Sequence, residues 1–405
     1  MFFLVFTSAL AIVALIMPTL IRIAQIKKLV DAPGDSRKIH ERSVPTIGGV
    51  MVVLAFLLVS MFWIPAVKGE MFELKWFYML AAAVSLFFIG LKDDLVGLSP
   101  SKKLLVHLFL GAVLVFWGGF RIDSFGGLFG LTDIPLWLSC PFSLFVYIVV
   151  VNAINLIDGI DGLAGGIGTM MMMTMSGWLI ACGNITGGIM ALAMAGSLVG
   201  FLVHNFHPAK IFMGDCGSLV LGLVAYCMAT EIMHTNAADI PVVLQGISTP
   251  LLAMSILTYP LVDTLRVFTL RASRGKSPFS PDRNHLHHRI MMNGKGHAFT
   301  SLLLYAYALI FMTFPFIVHM GLPDVNTNIL FVVELVLAFG VFIPVLRKTR
   351  FTSLRHEVII KEDVEQKIAL SLSLDALERA RADERKSKWA KYANKKKGRT
   401  EEATA

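Results

Sequence analysis

The sequence is poor in charge. Only 16% of its 405 residues are Asp, Glu, Lys or Arg, where a soluble domain carries about 25%. Against this, 56% are hydrophobic and the mean hydropathy is +0.70. Soluble cores stop growing near about 250–300 residues, so no single core bathed in water absorbs this much apolar sequence. That excludes an ordinary soluble enzyme. Cysteine is scarce as well: Cys140, Cys182, Cys216 and Cys227 have neither metal-site nor disulfide spacing and read as small core residues. A basic stretch ahead of the first apolar run is missing too. Arg22, Lys27 and Lys28 follow that run instead, which argues against a cleavable signal peptide.

Long apolar runs are what the chain has in quantity. Stretches of about 20 residues suit a bilayer crossing, and they fall at 2–21, 47–67, 76–91, 104–120, 135–154, 164–181, 186–204, 218–234, 247–268, 300–320 and 328–346. The sequence therefore predicts an all-α polytopic integral membrane protein of about 11 transmembrane helices. Basic residues between the runs are lopsided. Loops 22–46 and 269–299 carry six Lys/Arg each, 92–103 carries three, and 182–185, 235–246 and 321–327 carry none. With Lys210 in loop 205–217 and the 16 Lys/Arg beyond Leu346, one side holds 32 of the 36. The positive-inside rule then places the N-terminus outside and the C-terminus in the cytoplasm, as an odd number of crossings requires. Residues 1–346 form the expected membrane domain. Residues 347–405 form a basic tail, read as an amphipathic helix on Ile360, Val364, Ile368 and Leu372 or as a disordered end.

The polar residues that interrupt this pattern cluster on the expected cytoplasmic side. They are DAPGDSRKIHERSVPTIGG at 31–49, KDD at 92–94 with Lys102 and Lys103, NAINLIDGIDGLAGG at 152–166, KIFMGDCGS at 210–218, and SPFSPDRNHLHHR at 277–289. Asn155, Asp158 and Asp161 recur every third residue, near one face of a helical turn. Asp215 sits in a glycine-flanked turn. Oxygen donors of this kind suit a hard cation such as Mg²⁺, which takes one or two carboxylates and shares phosphates with a substrate. His285, His287 and His288 are flanked by Arg283 and Arg289, a composition suited to an anion rather than to a second cation. Acids able to hold a metal, facing a basic loop, are the equipment of phosphoryl transfer.

These five segments, in this order, closely resemble the bacterial polyprenyl-phosphate N-acetylhexosamine-1-phosphate transferases of glycosyltransferase family 4, most like the WecA-type branch. The resemblance spans residues 20–345. It implies transfer of a sugar 1-phosphate, N-acetylglucosamine 1-phosphate in that branch, from a UDP-sugar to undecaprenyl phosphate. UMP is released at the cytoplasmic face of the bacterial plasma membrane, with Mg²⁺ or Mn²⁺ as cofactor and no nucleic acid partner. By position, Asn155 and Asp215 match metal ligands, and Asp161 and Phe212 match the residues that hold uracil. Asp93 and Asp94 match an acidic pair, Lys103 (or its neighbour Lys102) a phosphate-facing lysine, and Asp158 a nucleotide-site acid. Arg283, His285, His287 and His288 match the loop that closes over the diphosphate, and Lys38 and His40 a substrate-contacting motif. The acceptor phosphate has a second pKa near 6 and is mostly ionised at neutral pH. Asp93 and Asp94 are therefore expected to organise charge and the lipid phosphate more than to abstract a proton. The muramoyl-pentapeptide branch of the superfamily is the alternative.

A transporter would carry acids near the bilayer midplane, but Glu231, Asp263 and Glu334 do not form a set. A phosphatidyltransferase would need Ala-Arg after Asp161-Gly162, where this chain has Leu-Ala-Gly-Gly. Gly162/Gly166 and Gly196/Gly200 have the spacing of close helix contacts, compatible with compact packing or with a homodimer.

Overall fold

The computed structural model describes residues 1–27, 30–31, 44–69, 73–275, 284–322 and 324–341. Lys38, His40, Arg283 and the tail from residue 347 lie outside them. Each apolar run of the sequence is a helix, as hydrocarbon demands when every backbone N–H and C=O must be satisfied within the segment. In chain order these are α1 Phe2–Ile26, α2 Gly49–Lys68, α3 Leu74–Val96, α4 Pro100–Phe116, α5 Leu136–Leu156 and α6 Leu163–Ala181. There follow α7 Ile185–Asn205, α8 Asp215–Met233, α9 Thr249–Ala272, the short α10 Leu286–Met292, α11 His297–Gly321 and α12 Thr327–Gly340. One small antiparallel pair, β1 Val30–Asp31 with β2 Val44–Pro45, joins α1 to α2.

Nine of these helices are long and apolar enough to cross a bilayer, which makes the chain an all-α, multi-pass membrane protein. The other two expected crossings are shorter: α4 has 17 residues and α12 has 14 described ones. In α4 the helix breaks at Trp117, and the apolar residues after it turn back through Gly118 and Gly119 rather than extending the rod.

A helix that is apolar all round belongs in the middle of a bundle, and α8 is that helix. Cys216 through Ile232 are all buried, with α2, α3, α5, α6 and α9 packed around it. Lipid-facing positions lie on the periphery, where Leu105, Phe109 and Phe116 of α4 and Leu15 of α1 are exposed. The GxxxG glycines are consumed inside the chain. A Cβ on Gly196 would lie 2.3 Å from the Phe6 carbonyl oxygen, and one on Gly200 would lie 2.6 Å from that of Leu10. A Cβ on Gly166 would meet the Tyr305 ring at 2.0 Å. The spacing seats α7 on α1 and α6 on α11, so it provides no argument for a dimer.

The helix ends decide where chemistry can occur. The end of α3, the start of α4, the end of α5 and the start of α8 meet at one end of the bundle, and the end of α9 and α10 line the same cavity there. The opposite end carries a separate polar group, in which Lys75 and Asn184 both bond Glu231, at 2.8 and 2.7 Å. Glu334, within the last helix, is satisfied by the Ser255 and Thr258 hydroxyls of α9 at 2.8 and 3.0 Å.

Candidate active site

At the first end, the start of α8 is held by main-chain contact. Gly214 has φ +71°, a conformation that L side chains avoid, and it turns the chain into α8. A Cβ on Gly49 of α2 would sit 2.3 Å from the Gly217 nitrogen, and one on Gly90 of α3 would sit 2.6 Å from the Asp215 carbonyl. The backbones of α2, α3 and α8 thus touch where side chains would normally keep them apart. Helix starts leave N–H groups without partners. Here Asp94, in the last turn of α3, accepts two of them, from Asp215 at 2.8 Å and Cys216 at 3.0 Å.

Asp215 is fixed on its other side as well. Asn155, in the last turn of α5, donates from Nδ2 to Asp215 Oδ1 and to Ser218 Oγ, both at 2.8 Å. Lys103, in the first turn of α4, places its ammonium between Asp93 Oδ2, at 3.1 Å, and Asp215 Oδ2, with which it also bonds. The neighbouring Lys102 points to the exterior and is exposed, so Lys103 is the lysine of the cluster. Asp93 also accepts from the Leu98 N–H at 2.6 Å, which closes the turn between α3 and α4 after Gly97. Asp158, in the loop after α5, completes the group. Burial first, and then the Asp215 charge, push its carboxyl up to about 7, against a hydrogen bond from the Gly214 backbone that pulls it down.

A hard cation fits this corner by its donor set: two carboxylates, Asp93 and Asp215, and the Asn155 amide. The Lys103 ammonium bridging the two acids marks a point where positive charge is required.

Asp161 lies apart from the acids and among histidines. His207 Nδ1 is 2.7 Å from Asp161 Oδ2, the Ala209 N–H donates to the same oxygen at 3.1 Å, and His297 Nδ1 is 3.4 Å from Oδ1. The two imidazoles stack at 5.4 Å. Although burial opposes it, the His297 and His207 bonds hold this carboxyl well below the usual carboxylate range. Its backbone is held too, by the Ser301 hydroxyl at 2.8 Å. These three side chains could also hold a metal ion, since their ligand atoms lie within 4.8 Å of one another, but a mixed nitrogen and oxygen set suits a softer ion than Mg²⁺. Phe212 is half-buried, and its backbone pairs with Pro45 and Gly48 at 2.7 and 2.9 Å.

His285 and His287 are buried and stacked at 5.7 Å, and His288 contacts His287 at 4.2 Å. The loop before α10 is tied to α9 through Asp263, which accepts from His285 Nδ1 at 3.1 Å and from the Leu286 N–H at 2.8 Å. Burial, and then His288, push the His287 imidazole well below its ordinary pKa, so it is neutral at pH 7. A cavity of 560 Å³ joins this wall to the acidic corner. Asp93, Lys103 and His107 line one side, and Arg271, His285, His287 and His288 the other. Alongside it, between α5, α8 and α9, runs an apolar groove of 240 Å³ that includes Phe145, Val149, Leu261 and Leu265. Leu265 precedes Phe268 and Arg271 of the cavity wall by one turn and two turns of α9.

Of the sequence-expected residues, Asp93, Asp94, Lys103, Asn155, Asp158 and Asp215 therefore meet, and His285, His287 and His288 face them across the cavity. Asp161 stands in a separate cluster. Asp263, Arg271, His107, His207 and His297 were not singled out for the site by motif. Each is an isolated residue in its own helix or loop, and only folding gives it neighbours.

The glycosyl transferase family 4 model matches residues 76–233, the stretch from α3 to the end of α8 that supplies the acidic corner. The chain is 31% identical over 311 residues to a probable undecaprenyl-phosphate N-acetylglucosaminyl 1-phosphate transferase of Bacillus subtilis, covering 76% of this chain and 82% of the relative. It is 30% identical over 288 residues to the decaprenyl-phosphate N-acetylglucosaminephosphotransferase of Mycolicibacterium smegmatis (66% and 70% covered). It is also 30% identical over 282 residues to the undecaprenyl-phosphate alpha-N-acetylglucosaminyl 1-phosphate transferase of Escherichia coli K12 (67% and 72%). With the acidic corner inside the matched segment and relatives covered over most of their length, the chain belongs to glycosyl transferase family 4, among its polyprenyl-phosphate N-acetylhexosamine-1-phosphate transferases.

Proposed function

We propose that this protein transfers N-acetylglucosamine 1-phosphate from UDP-N-acetylglucosamine to undecaprenyl phosphate, or a closely related polyprenyl phosphate, at the cytoplasmic face of the bacterial plasma membrane. The observation that carries this reading is the single cavity bounded by Asp93 and Lys103 on one side and by His285, His287 and Arg271 on the other. Two anions have to meet in it, and cationic side chains on both walls lower the cost of that approach. The names of the relatives supply the sugar and the lipid. They give no support to a muramoyl-pentapeptide substrate.

In the transfer, an oxygen of the lipid phosphate forms a bond to the β-phosphorus of the UDP-sugar. The bond from that phosphorus to the bridging oxygen breaks, and UMP departs with the electron pair. The attacking oxygen is already ionised at neutral pH, so Asp93 and Asp94 organise the site rather than take a proton. Asp94 keeps α8 in place, and Asp93 shares Lys103 with Asp215. The histidine wall and Arg271 hold phosphate oxygens and keep water away from the reacting centre. Asp215, Asn155 and Asp93 would hold Mg²⁺, which would supply neutralisation of the diphosphate charge. The groove along α9 suits the isoprenoid chain, because it ends beside the cavity that takes the phosphate.

Orientation follows from the distribution of basic residues. All helix ends that build the site lie on the side of the Lys/Arg-rich loops 92–103 and 269–299. The test is direct: purified protein in detergent is given Mg²⁺, a C55 lipid phosphate and a panel of UDP-sugars, and the products are read by mass spectrometry. UMP together with a lipid diphosphate N-acetylglucosamine is expected. Absence of UMP release with every UDP-sugar would overturn the reading.

A further inference from the structure

Asp263 is an acid that the transfer chemistry above does not use. It lies in α9, fully buried, and three donors converge on its carboxylate: His285 Nδ1 at 3.1 Å, the Leu286 N–H at 2.8 Å and Arg266 Nη2 at 3.0 Å. Arg266 also donates to the backbone carbonyl of Asn284, so the same cation balances the acid and pins the chain just before α10. His287 Nδ1 stands 3.9 Å from Asp263, with its ring stacked on that of His285. An ionised carboxylate only accepts hydrogen bonds. The proton of His285 therefore sits on Nδ1, and the ring direction is set by that bond. Nε2 of His285 and Nε2 of His287 have no hydrogen-bond partner, although both residues are buried and line the cavity. Buried polar atoms are paired in more than about nine cases in ten, so two unpartnered nitrogens on one cavity wall mark a place where a ligand completes the set. Gly159 lines the same cavity, and a Cβ there would lie 2.5 Å from His287 Nε2, so only the missing side chain leaves that nitrogen room.

We infer that Asp263 is a positioning residue of the transfer: it fixes the proton-bearing nitrogen of His285, and through the Leu286 N–H it seats the first turn of α10 so that His285 and His287 face the phosphates. The inference rests on the transferase reading above and adds to it the residue through which the histidine wall is aimed. Asp263→Asn is the decisive substitution. It keeps size and can still accept from Leu286, but its amide turns a donor toward His285 Nδ1 and so forces the proton onto Nε2.

The experiment is a double-mutant cycle on the full chain in detergent. Asp263→Asn, His285→Gln and the pair are assayed for UMP release, with thermal unfolding of each variant measured alongside. Asp263→Asn is expected to lower kcat about 10²-fold, in the range of positioned acid–base groups, with KM for the UDP-sugar changed less than about 3-fold. In the His285→Gln background the same substitution is expected to cost less than about 3-fold more, because residues that act as a unit are not additive. Equal losses in both backgrounds would mean that Asp263 acts without His285 and would overturn the proposal, as would wild-type turnover in Asp263→Asn. If neither Asp263→Asn nor Asp263→Glu yields a cooperatively unfolding protein, the residue belongs to the frame and the proposal falls. An inactive wild type would instead refute the transferase reading, so the two failures are distinguishable.

Discussion

Asp94 Oδ1 and Oδ2 accept the backbone N–H groups of Asp215 and Cys216, at 2.8 and 3.0 Å. One acid of the pair in α3 is thereby a brace for the start of α8, and the residue it braces is the acid most central to the site. Sequence reasoning expects Asp94→Asn to alter lipid handling chiefly. The geometry adds a second effect, because an amide can accept only one of the two bonds. Hydrogen bonds to a charged group contribute about 1.5–3 kcal/mol. Asp94→Asn should lower the unfolding temperature in detergent and reduce kcat about 10-fold, and UMP release with thermal unfolding on the same sample checks both.

Asp215→Asn should be more severe. The residue is shared by Asn155, Lys103 and the backbone start of α8, and loss of its charge removes the anionic half of the cation corner. Turnover is expected to fall by about 10³-fold with little loss of stability. Near-wild-type UMP release in Asp215→Asn would remove it from the metal set. Lys103→Met, which leaves Asp93 and Asp215 facing each other without their shared ammonium, should cost about 10²-fold in turnover and, with a competing cation gone from the two carboxylates, lower the Mg²⁺ concentration needed for half-maximal rate in detergent.

Glycine contacts give a control pair. Gly159→Ala introduces a methyl group 2.5 Å from His287 Nε2, whereas a Cβ on Gly177 meets nothing within 4 Å. Overpacking costs about 1–3 kcal/mol, and here the atom that must move belongs to the cavity wall. Gly159→Ala should lower kcat about 10-fold or more. Gly177→Ala, in the interior of α6, should keep activity and gain about 0.5–1 kcal/mol, read as a higher midpoint in thermal unfolding.

His287 makes stability depend on pH. Burial, then His288, lower its folded pKa well below 6.5, so between the folded value and 6.5 the unfolded chain binds a proton that the folded chain does not. This contribution to stability is then full above about pH 6.5 and falls as pH drops below it, by up to about 1.4 kcal/mol per pH unit. Asp158, its carboxyl raised to about 7, adds the opposite slope below that pH. The His287 contribution is therefore read as the difference between wild-type and His287→Gln unfolding midpoints from about pH 8 to pH 5, level above about pH 6.5 and shifting against the wild type below it. An unchanged slope in His287→Gln would contradict the assignment.

Labelling tests the orientation. All four native cysteines are buried, so introduced thiols report without background. Lys102→Cys, exposed at the start of α4, and Asn236→Cys, exposed beyond the end of α8, lie at opposite ends of the bundle. In intact cells an impermeant thiol reagent should modify Asn236→Cys and spare Lys102→Cys. The reverse pattern would invert the topology.

The fold was legible wherever a property is local. Every apolar run became a helix because the bilayer leaves the backbone no alternative, and the acids of the cavity were legible because they cluster within short motifs such as 152–166 and 210–218. What escaped depends on distance along the chain. Asp263 reads as a stray acid near the end of a crossing until α10 brings His285 to it from 22 residues away. His207, in the loop after α7, and His297, the first residue of α11, are ordinary residues until both settle on Asp161. The GxxxG pairs were legible in part: their spacing announces the close contact that is found, but it does not name the partner, which here is α1 or Tyr305 of the same chain.

Where α2, α3 and α8 meet, main chain lies against main chain at Gly49, Gly90, Gly214 and Gly217. A joint of that kind offers nothing for drift to enlarge or trim, since any new side chain there would part the helices. A Cβ at any of these four positions would crowd the helix ends that carry Asp94 and Asp215. The joint is therefore a fixed, hinge-free seat for the acids, and its geometry is set by backbone alone.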